Sequence, residues 1–151
     1  MIRELEAMDD RALAAFFSEN DTPAIITTFH PFPLDASNAH RICALPRKDR
    51  YFASFENNAI LGFAMLRGWD EGFSTPSFGI LVHHKHHGRG IGKALTDHAL
   101  ALAREMNAPR IRLTVHRDNA RAVRLYERVG FSAAETLDDG RLVMFAELHH
   151  A

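Results

Sequence analysis

The sequence predicts a mixed α/β fold with a central, mostly antiparallel sheet, one parallel strand-helix-strand crossover, and helices on both faces. Two observations carry this prediction. Two strand-like runs, Tyr51–Phe55 and Ile60–Leu66, meet at Asn57 and Asn58, residues that tolerate the positive φ of a tight hairpin. Further along, the apolar run Ser77–Val82 leads into a glycine-rich loop, a long helical pattern and another strand. A helix of that length between two strands implies a parallel pair.

The N-terminal third begins with a strand-like segment, Ile2–Ala7, whose apolar residues do not alternate cleanly. A helix follows, because Asp9 or Asp10 can accept hydrogen bonds from the first free N–H groups of the helix. A second short helix begins after Asp35 and ends before Pro46. The apolar faces of the two helices consist of Leu13, Phe16, Phe17, Ala39, Ile42 and Cys43.

The C-terminal half reads as helix, strand, helix, strand. Asn107 and Pro109 end the first of these helices, Asp118 or Asn119 can cap the second, and Gly130 is suited to end it. The last strand is Leu142–Leu148. The apolar positions that define the other elements are Ile91, Leu95, Ala99, Leu102 and Met106, then Ile111, Leu113 and Val115, then Ala122, Leu125, Tyr126 and Val129.

Composition limits the class of protein. The 151 residues, 46% hydrophobic and 25% charged, predict one globular domain over residues 1–151. A formal net charge of −1 offers no basic field for nucleic acid, and no run is long enough to span a membrane. The single cysteine, Cys43, has no activating base nearby in sequence, so we interpret it as a buried structural residue. These features favour a cytoplasmic protein.

The glycine-rich loop predicts an anion site. Three glycines within the run from His87 to Lys93 let the backbone approach a ligand, and the N–H groups that open the following helix favour negative charge. A phosphate is the usual occupant of such a position. The spacing fits neither the G-x-x-x-x-G-K-[ST] loop nor the G-x-G-x-x-G dinucleotide fingerprint.

Two segments together resemble a known family. The run His87-Gly88-Arg89-Gly90-Ile91-Gly92 is similar to the [RQ]-x-x-G-x-[GA] pyrophosphate loop of the GNAT superfamily of acyl-CoA-dependent N-acyltransferases, with His87 where that family usually has Arg or Gln. A second hallmark, N-x-x-A-x-x-L-Y-x-x-x-G-F, is matched by Asn119, Ala122, Leu125, Tyr126, Gly130 and Phe131. The resemblance covers roughly Leu61 to Leu148 and implies a GNAT-like fold.

The resemblance also implies how acetyl-CoA binds as co-substrate. The main chain of one strand would pair with the pantetheine arm, the glycine loop would hold the pyrophosphate, and Asn119 would contact the cofactor near its reacting end. Tyr126 would be the general acid that protonates the departing CoA thiolate. Taken alone, a tyrosine on an apolar helix face is usually a core residue. The implied cofactor-binding residues are Ile80, Leu81, Val82, His87, Gly88, Arg89, Gly90, Ile91, Gly92, Lys93, Asn119 and Tyr126.

The reaction needs a proton acceptor that the sequence does not single out. An amine with a pKa near ~10 is mostly protonated at neutral pH, so a base or a water relay must take a proton before the nitrogen attacks the thioester. Glu71, His83 and His116 lie near strand ends that should flank the site. Direct attack with proton loss through water stays open, and catalysis would then depend mostly on positioning.

The acceptor is expected to be a small-molecule amine. A proline-rich loop that contains Phe29, His30 and Phe32, and the turn Trp69–Phe73 with Glu71, are the predicted walls of its site. The alternative is that Phe29 and Phe32 simply fold under the core. The resemblance leaves a homodimer open.

Two other functions compete with this interpretation. A catalytically inactive acyl-CoA-binding domain would serve as a sensor or interaction module, although such a domain has no chemical reason to keep both Asn119 and Tyr126. A metal site would rest on the cluster of loop histidines, His83, His84, His86 and His87. Adjacent pairs in such a run are expected to point in different directions, and no cysteine or carboxylate nearby completes a ligand set. We therefore expect solvated histidines and no metal.

Overall fold

The computed structural model describes residues 1–23, 32–44 and 47–148 and contains one seven-stranded mixed sheet. The strand order is β1-β2-β3-β4-β5-β7-β6, and every pair is antiparallel except β4 and β5. The fold class predicted from the sequence is therefore confirmed. The strands are β1 Ile2–Glu4, β2 Arg50–Glu56, β3 Ala59–Arg67, β4 Ser77–Val82, β5 Arg110–His116, β6 Ser132–Thr136 and β7 Arg141–Glu147. The α-helices in the described ranges are α1 Asp10–Glu19, α2 Ala36–Ala44, α3 Ile91–Glu105 and α4 Ala120–Arg128.

Local turn and cap chemistry explains two of the element boundaries. Asn57 and Asn58 adopt φ of 51° and 69°, which turns β2 into β3 as the hairpin prediction requires. Asp35 accepts a hydrogen bond from the main-chain N–H of Asn38 at 2.9 Å and so caps α2 as predicted.

The sheet buries both faces under helices. On one face α3 and α4 cover a core that includes Phe52, Leu66, Leu95, Ala99, Leu113 and Met144. On the other face α1 and α2 cover a second core that includes Leu13, Phe16, Phe17, Ile42, Phe63 and Leu81. Helices on both faces were predicted, and α3 is the crossover that joins the parallel strands β4 and β5.

The predicted side-chain cap of α1 is wrong. The carboxylate of Asp9 binds the guanidinium of Arg3 at 2.8 and 2.9 Å and accepts from the main-chain N–H of Glu6 at 2.7 Å. It therefore closes the 3₁₀ turn Ala7–Asp9, which precedes α1, and makes no cap bond to α1 itself. The carboxylate of Asp10 accepts from the adjacent main-chain N–H of Arg11 at 2.8 Å and lies 3.4 Å from Nδ1 of His40. Competition from a cationic partner explains why Asp9 faces away from the helix.

Strand β6 was not predicted. All five of its residues are exposed, so its side chains show no alternation between buried and exposed positions. It pairs only with β7, at the edge of the sheet, and a bulge between Ala133 and Glu135 interrupts the register. Because periodicity reports burial on one face, an edge strand exposed on both faces gives no such signal. In the described ranges no helix is long and apolar enough to cross a bilayer.

Candidate functional site

The parallel strands β4 and β5 separate almost at once. They share one register pair, Ser77 with Arg112, and the main-chain N–H of Arg112 donates to the carbonyl of Pro76 at 2.9 Å. Beyond that point β4 continues to Val82 with β3 as its partner on the other side. A gap with an unpaired strand edge therefore opens between β4 and β5.

Strand geometry determines which main-chain groups face this gap. In a strand, the N–H and C=O groups of successive residues point alternately to the two sides. The carbonyl of Pro76 faces β5, whereas the N–H of His83 donates to Leu61 on the β3 side. Even-numbered positions of β4, including the predicted cofactor residues Ile80 and Val82, therefore face the gap. The main chain of Leu81, the third predicted strand residue, faces β3.

The glycine loop opens α3 with free N–H groups. Gly88 and Gly90 have φ of 83° and 79°, the left-handed region that disfavours other residues, and no atom lies within 4 Å of a Cβ built on either. The first hydrogen bond of α3 runs from the N–H of Ala94 to the carbonyl of Gly90 at 3.0 Å. Among the hydrogen bonds of the described residues, none uses a main-chain N–H of residues 87–93 as donor. The loop has the open space and the donors that an anion requires.

The cationic side chains of the loop already have partners. Arg89 forms an ion pair with Glu56 at 2.9 Å and lies 3.0 Å from a ring nitrogen of His86. Lys93 pairs with Asp97 at 2.7 Å. These pairs are exposed, so screening by water and salt makes them easy to exchange for another anion. The main-chain donors, in contrast, have no competitor within the described residues.

Two predicted cofactor residues contact each other at the end of β4. Nε2 of His87 lies 3.2 Å from the carbonyl oxygen of Val82, and His87 is exposed. The Val82 carbonyl faces the gap, and the His87 ring of the loop already occupies it. A ligand that needs this acceptor must displace the His87 ring.

Tyr126 lies under the sheet beside β4. The residue is 7% exposed, and its ring packs edge-on against Phe78 and Phe131. Burial raises the pKa of Tyr126 to about 12. Its hydroxyl forms no hydrogen bond with any of the described residues. In the same residues, every side-chain oxygen or nitrogen that is fully buried has a hydrogen-bond partner. The Tyr126 hydroxyl is therefore accessible to solvent, and it belongs to a ring that packs on Phe78, whose main chain faces the gap.

Asn119 caps α4, as predicted. Its side-chain oxygen accepts from the main-chain N–H of Ala122 at 3.3 Å, and the residue is exposed. The cap fixes the start of the helix that carries Tyr126. The side-chain amide nitrogen of Asn119 donates to no group of the described chain and can bind a ligand.

The structure holds two of the three candidate bases in other interactions. Buried His83 lies 3.0 Å from the Glu19 carboxylate through Nε2 and accepts from the N–H of Lys85 through Nδ1 at 3.1 Å. Nε2 of His116 lies 3.1 Å from the carbonyl oxygen of Asp139, and Nδ1 accepts from the main-chain N–H of Asp118 at 3.2 Å. Both ring nitrogens are occupied in each case, which leaves neither histidine free to take a proton from an acceptor amine.

Glu71, the third candidate, lines a cavity of about 640 Å³ on the sheet face opposite α3. The cavity extends over β3, β4, β5 and β7 and includes Phe78, Gly79, Leu113 and Thr114, where β4 and β5 separate. Its size lies within the ~300–1,000 Å³ usual for small-molecule sites. Glu71 belongs to the turn Trp69–Phe73, which was predicted as a wall of the acceptor site.

The other predicted wall of the acceptor site, the proline-rich loop, lies only partly within the described residues. Phe29 and His30 lie outside the described residues. Phe32 is half-buried and packs against the rings of Phe17 and Phe63, at 5.9 and 6.4 Å between centroids. For Phe32 these contacts support the alternative that it belongs to the core.

The histidine cluster differs from its prediction. The rings of His83 and His84 stack at 4.9 Å and 15°, so this adjacent pair does not point in different directions. His83 is buried and bound to Glu19, against the prediction of solvated histidines, whereas His84 and His87 are exposed as predicted. In the part of the chain that the structure describes, no three His, Cys, Asp or Glu side chains are grouped closely enough to hold a metal ion.

Two features beside the cavity have no counterpart among the sequence-based predictions. Buried Asp49 accepts from the main-chain N–H groups of Gly68 and Asp70, while Asp70 accepts from those of Lys48 and Asp49. This reciprocal pair holds the turn Trp69–Phe73 (the cavity turn) against the start of β2. Its members are 21 positions apart, so they form no local sequence pattern. The other feature is the arginine face of β5, which the alternation of Arg110 and Arg112 with apolar residues does signal.

Comparison with known proteins places the chain in a family. Residues 10–131 match the family model described as Acetyltransferase (GNAT) family. The chain is 34% identical over 80 residues to a mycothiol acetyltransferase from Jonesia denitrificans, a match that covers 53% of this chain and 26% of that protein. It is 51% identical over 45 residues to one from Beutenbergia cavernae, covering 30% and 15%. These matches span about a quarter or less of the length of those relatives.

Solved structures show the same fold at low identity. The GNAT domain of S. lividans PAT superposes with a TM-score of 0.82 at 20% identity, covering 97% of this chain and 89% of that one. Spermidine N-acetyltransferase from Vibrio cholerae, solved with CoA and spermine, gives 0.79 at 22% identity, covering 98% and 95%. A putative acetyltransferase from Salmonella typhimurium, solved with acetyl-CoA, gives 0.79 at 20% identity, covering 100% and 95%. The match of the family model over most of the chain, with a fold that agrees, shows that this chain belongs to the GNAT acetyltransferase family.

Proposed function

We propose that residues 1–151 form a single N-acetyltransferase domain that transfers an acetyl group from acetyl-CoA to a primary amine of a small-molecule acceptor. One observation carries the proposal: unpaired N–H groups open α3 directly after the strand that borders the β4–β5 gap. An elongated ligand with an anionic end and a chain of amides matches this layout. We place the activity in the cytoplasm, where acetyl-CoA is available.

The chain offers acetyl-CoA two kinds of contact. Main-chain N–H groups of His87, Gly88, Arg89, Gly90, Ile91, Gly92 and Lys93 would hold the pyrophosphate. The gap-facing main chain of Ile80 and Val82 would pair with the amides of the pantetheine arm, as an added strand does. Asn119 would contact the arm through its free amide nitrogen. Bound there, acetyl-CoA supplies an activated acyl group as a thioester.

Tyr126 would act as general acid on the sulfur. Its raised pKa, about 12, keeps the hydroxyl protonated at neutral pH. A thiol titrates near ~8.5, so proton transfer from Tyr126 to a free thiolate is uphill by itself. Tyr126 would therefore donate its hydrogen bond to the sulfur while the C–S bond breaks, and the transfer would be completed as solvent returns a proton to the Tyr126 oxygen. The acetyl carbon gains the acceptor nitrogen and loses the sulfur, which leaves as the thiol.

Glu71 would take one proton from the acceptor ammonium group before attack, directly or through water, and the nitrogen would lose its second proton to solvent as the amide forms. It is the only one of the three candidate bases that lines the cavity, and its exposure leaves it in contact with solvent. A carboxylate at the cavity also attracts an ammonium group. The mechanism uses no metal.

A thiol-release assay tests the proposal. Purified protein and acetyl-CoA are mixed with amino acids, amino sugars, polyamines or peptides with free N-termini, and free CoA is measured with a thiol reagent. The single cysteine, Cys43, is buried, and burial raises its pKa to about 11, so its background reaction is slow. We expect at least one amine to accelerate thiol release. Binding of acetyl-CoA without release by any amine would instead identify an inactive acyl-CoA-binding domain.

A further inference from the structure

Two arginines and a serine form a row across the cavity floor. Arg67 of β3 is the register partner of Ser77 of β4, and Ser77 is the register partner of Arg112 of β5. All three line the cavity. Since neighbouring strands lie ~4.8 Å apart, the backbones of the two arginines are about 10 Å apart with the serine between them. Both guanidinium groups can reach one ligand above Ser77.

Neither arginine has an acidic partner. All 19 Asp and Glu residues fall in the described ranges, and none forms an ion pair with Arg67 or Arg112. The Arg67 guanidinium lies 5.7 Å from the centroid of the Phe32 ring, a contact that supplies no acidic group. The neighbouring Arg110 differs, because besides its contact with the Phe145 ring at 4.2 Å it lies 3.8 Å from Glu147. Arg67 and Arg112 are half-buried, so they have lost part of their hydration without a compensating charge. Such cations at a cavity indicate an anionic ligand.

The same cavity also presents one carboxylate. Glu71 lines it together with the two arginines and forms an ion pair with neither. One cavity thus offers a carboxylate for an ammonium group and guanidinium groups for an anion. A ligand with only positive charges would leave the arginines unpaired and would be repelled by them.

We propose that the acceptor of this enzyme carries, besides its amine, an anionic oxygen group, a carboxylate or a phosphate, bound by Arg67 and Arg112. The inference rests on the proposed acetyltransferase function and names the class of its second substrate. Guanidinium groups bind both anions in a forked geometry, and the Ser77 hydroxyl adds a donor between them. The row therefore selects acceptors such as amino acids or phosphorylated amino sugars over polyamines.

Matched acceptors test the proposal on the unmodified protein. Serine is compared with serinamide, glucosamine 6-phosphate with glucosamine, and spermidine serves as the polycation, each with acetyl-CoA in the thiol-release assay. We expect kcat/KM to be about tenfold to a hundredfold higher for the anionic member of at least one pair, the effect of a charge-assisted hydrogen bond. The pair that discriminates tells a carboxylate from a phosphate. Equal rates within both pairs, or a preference for spermidine, would overturn the proposal.

Variants assign the effect to the arginine row. Arg112→Gln should raise KM for the anionic acceptor about tenfold or more and leave its neutral counterpart unchanged, while Arg112→Lys should recover part of the loss. Arg104→Gln, at an exposed position in the last turn of α3, is the matched control and should behave as wild type. A loss that is equal for both members of a pair would indicate a structural role and contradict the proposal.

The two proposals fail differently. If no amine releases thiol, the acetyltransferase function is wrong, and calorimetric titration of the same pairs into CoA-saturated protein still decides the anion site. Binding of the anionic member alone would support the row, whereas no discrimination would refute it. If amines are acetylated without regard to the anionic group, only the arginine inference fails. Melting curves show directly whether each variant is folded.

Discussion

A bulky side chain at Gly90 provides a direct test of the glycine loop. Gly90 is the residue before α3 and has φ of 79°, and no atom lies within 4 Å of a Cβ built there. In Gly90→Leu the left-handed backbone costs roughly 1–2 kcal/mol, while the added Cβ lies in open space. The leucine instead occupies the space that an anion needs in order to approach the free N–H groups.

The magnitude of the effect follows from linkage. At a ligand concentration 100 times Kd, binding stabilises the folded state by about 2.7 kcal/mol. For a domain of this size 1 kcal/mol shifts Tm by about 2–4 °C, so acetyl-CoA should raise the Tm of the wild-type protein by about 5–10 °C. Gly90→Leu should lower the Tm without ligand by about 2–8 °C and abolish most of the shift with ligand.

Gly72→Leu is the matched control, measured in the same thermal-shift assay. Gly72 has φ of 91° and also has no atom within 4 Å of a Cβ, but it lies in the cavity turn, away from the glycine loop. Its backbone strain should be similar, so its Tm without ligand should fall while the acetyl-CoA shift persists. A full shift in Gly90→Leu, equal to that of Gly72→Leu, would show that the anion binds elsewhere.

Three further predictions concern other parts of the chain. Tyr126→Phe should keep the acetyl-CoA shift in Tm but lower kcat by about tenfold or more, as for loss of a general acid; unchanged turnover would remove Tyr126 from that role. Asp49→Ala should lower the free energy of unfolding by about 1–3 kcal/mol in urea titrations, because the N–H of Gly68 loses its acceptor; an unchanged midpoint would contradict this. Asp9→Asn should destabilise the protein by ~1–2 kcal/mol at neutral pH. The Arg3 guanidinium lowers the pKa of Asp9, so this difference should be fully present above pH ~4 and disappear at lower pH, whereas a difference that persists in acid would refute the ion-pair explanation.

Predictions that rest on local chemistry were confirmed. The hairpin at Asn57 and Asn58, the cap at Asp35 and the glycine-led start of α3 each depend on residues a few positions apart. The cap assigned to Asp9 failed because a side chain from β1 competes for its carboxylate. Sequence patterns identify residues that can satisfy an orphan N–H group, but they do not reveal a stronger partner brought in by another element.

In the candidate site too, the features that depend on consecutive residues were predicted, and those that depend on distant partners were not. Spacing predicted the loop around Gly90 and the helix of Tyr126, because glycine conformation and apolar periodicity are properties of consecutive residues. The structure then distinguished among the candidate bases. His83 and His116 are engaged by partners that are distant in sequence, and only Glu71 lines the cavity.

The sequence by itself determined the class of fold, the order of its elements and the loop at the start of α3, since each follows from short-range patterns. Only the tertiary structure decided where β4 and β5 separate, and that Arg67 and Arg112 share one cavity. These arginines are 45 positions apart and meet through strand register. Register depends on how whole strands pack, and a face exposed to a cavity lacks the apolar periodicity that a buried face shows.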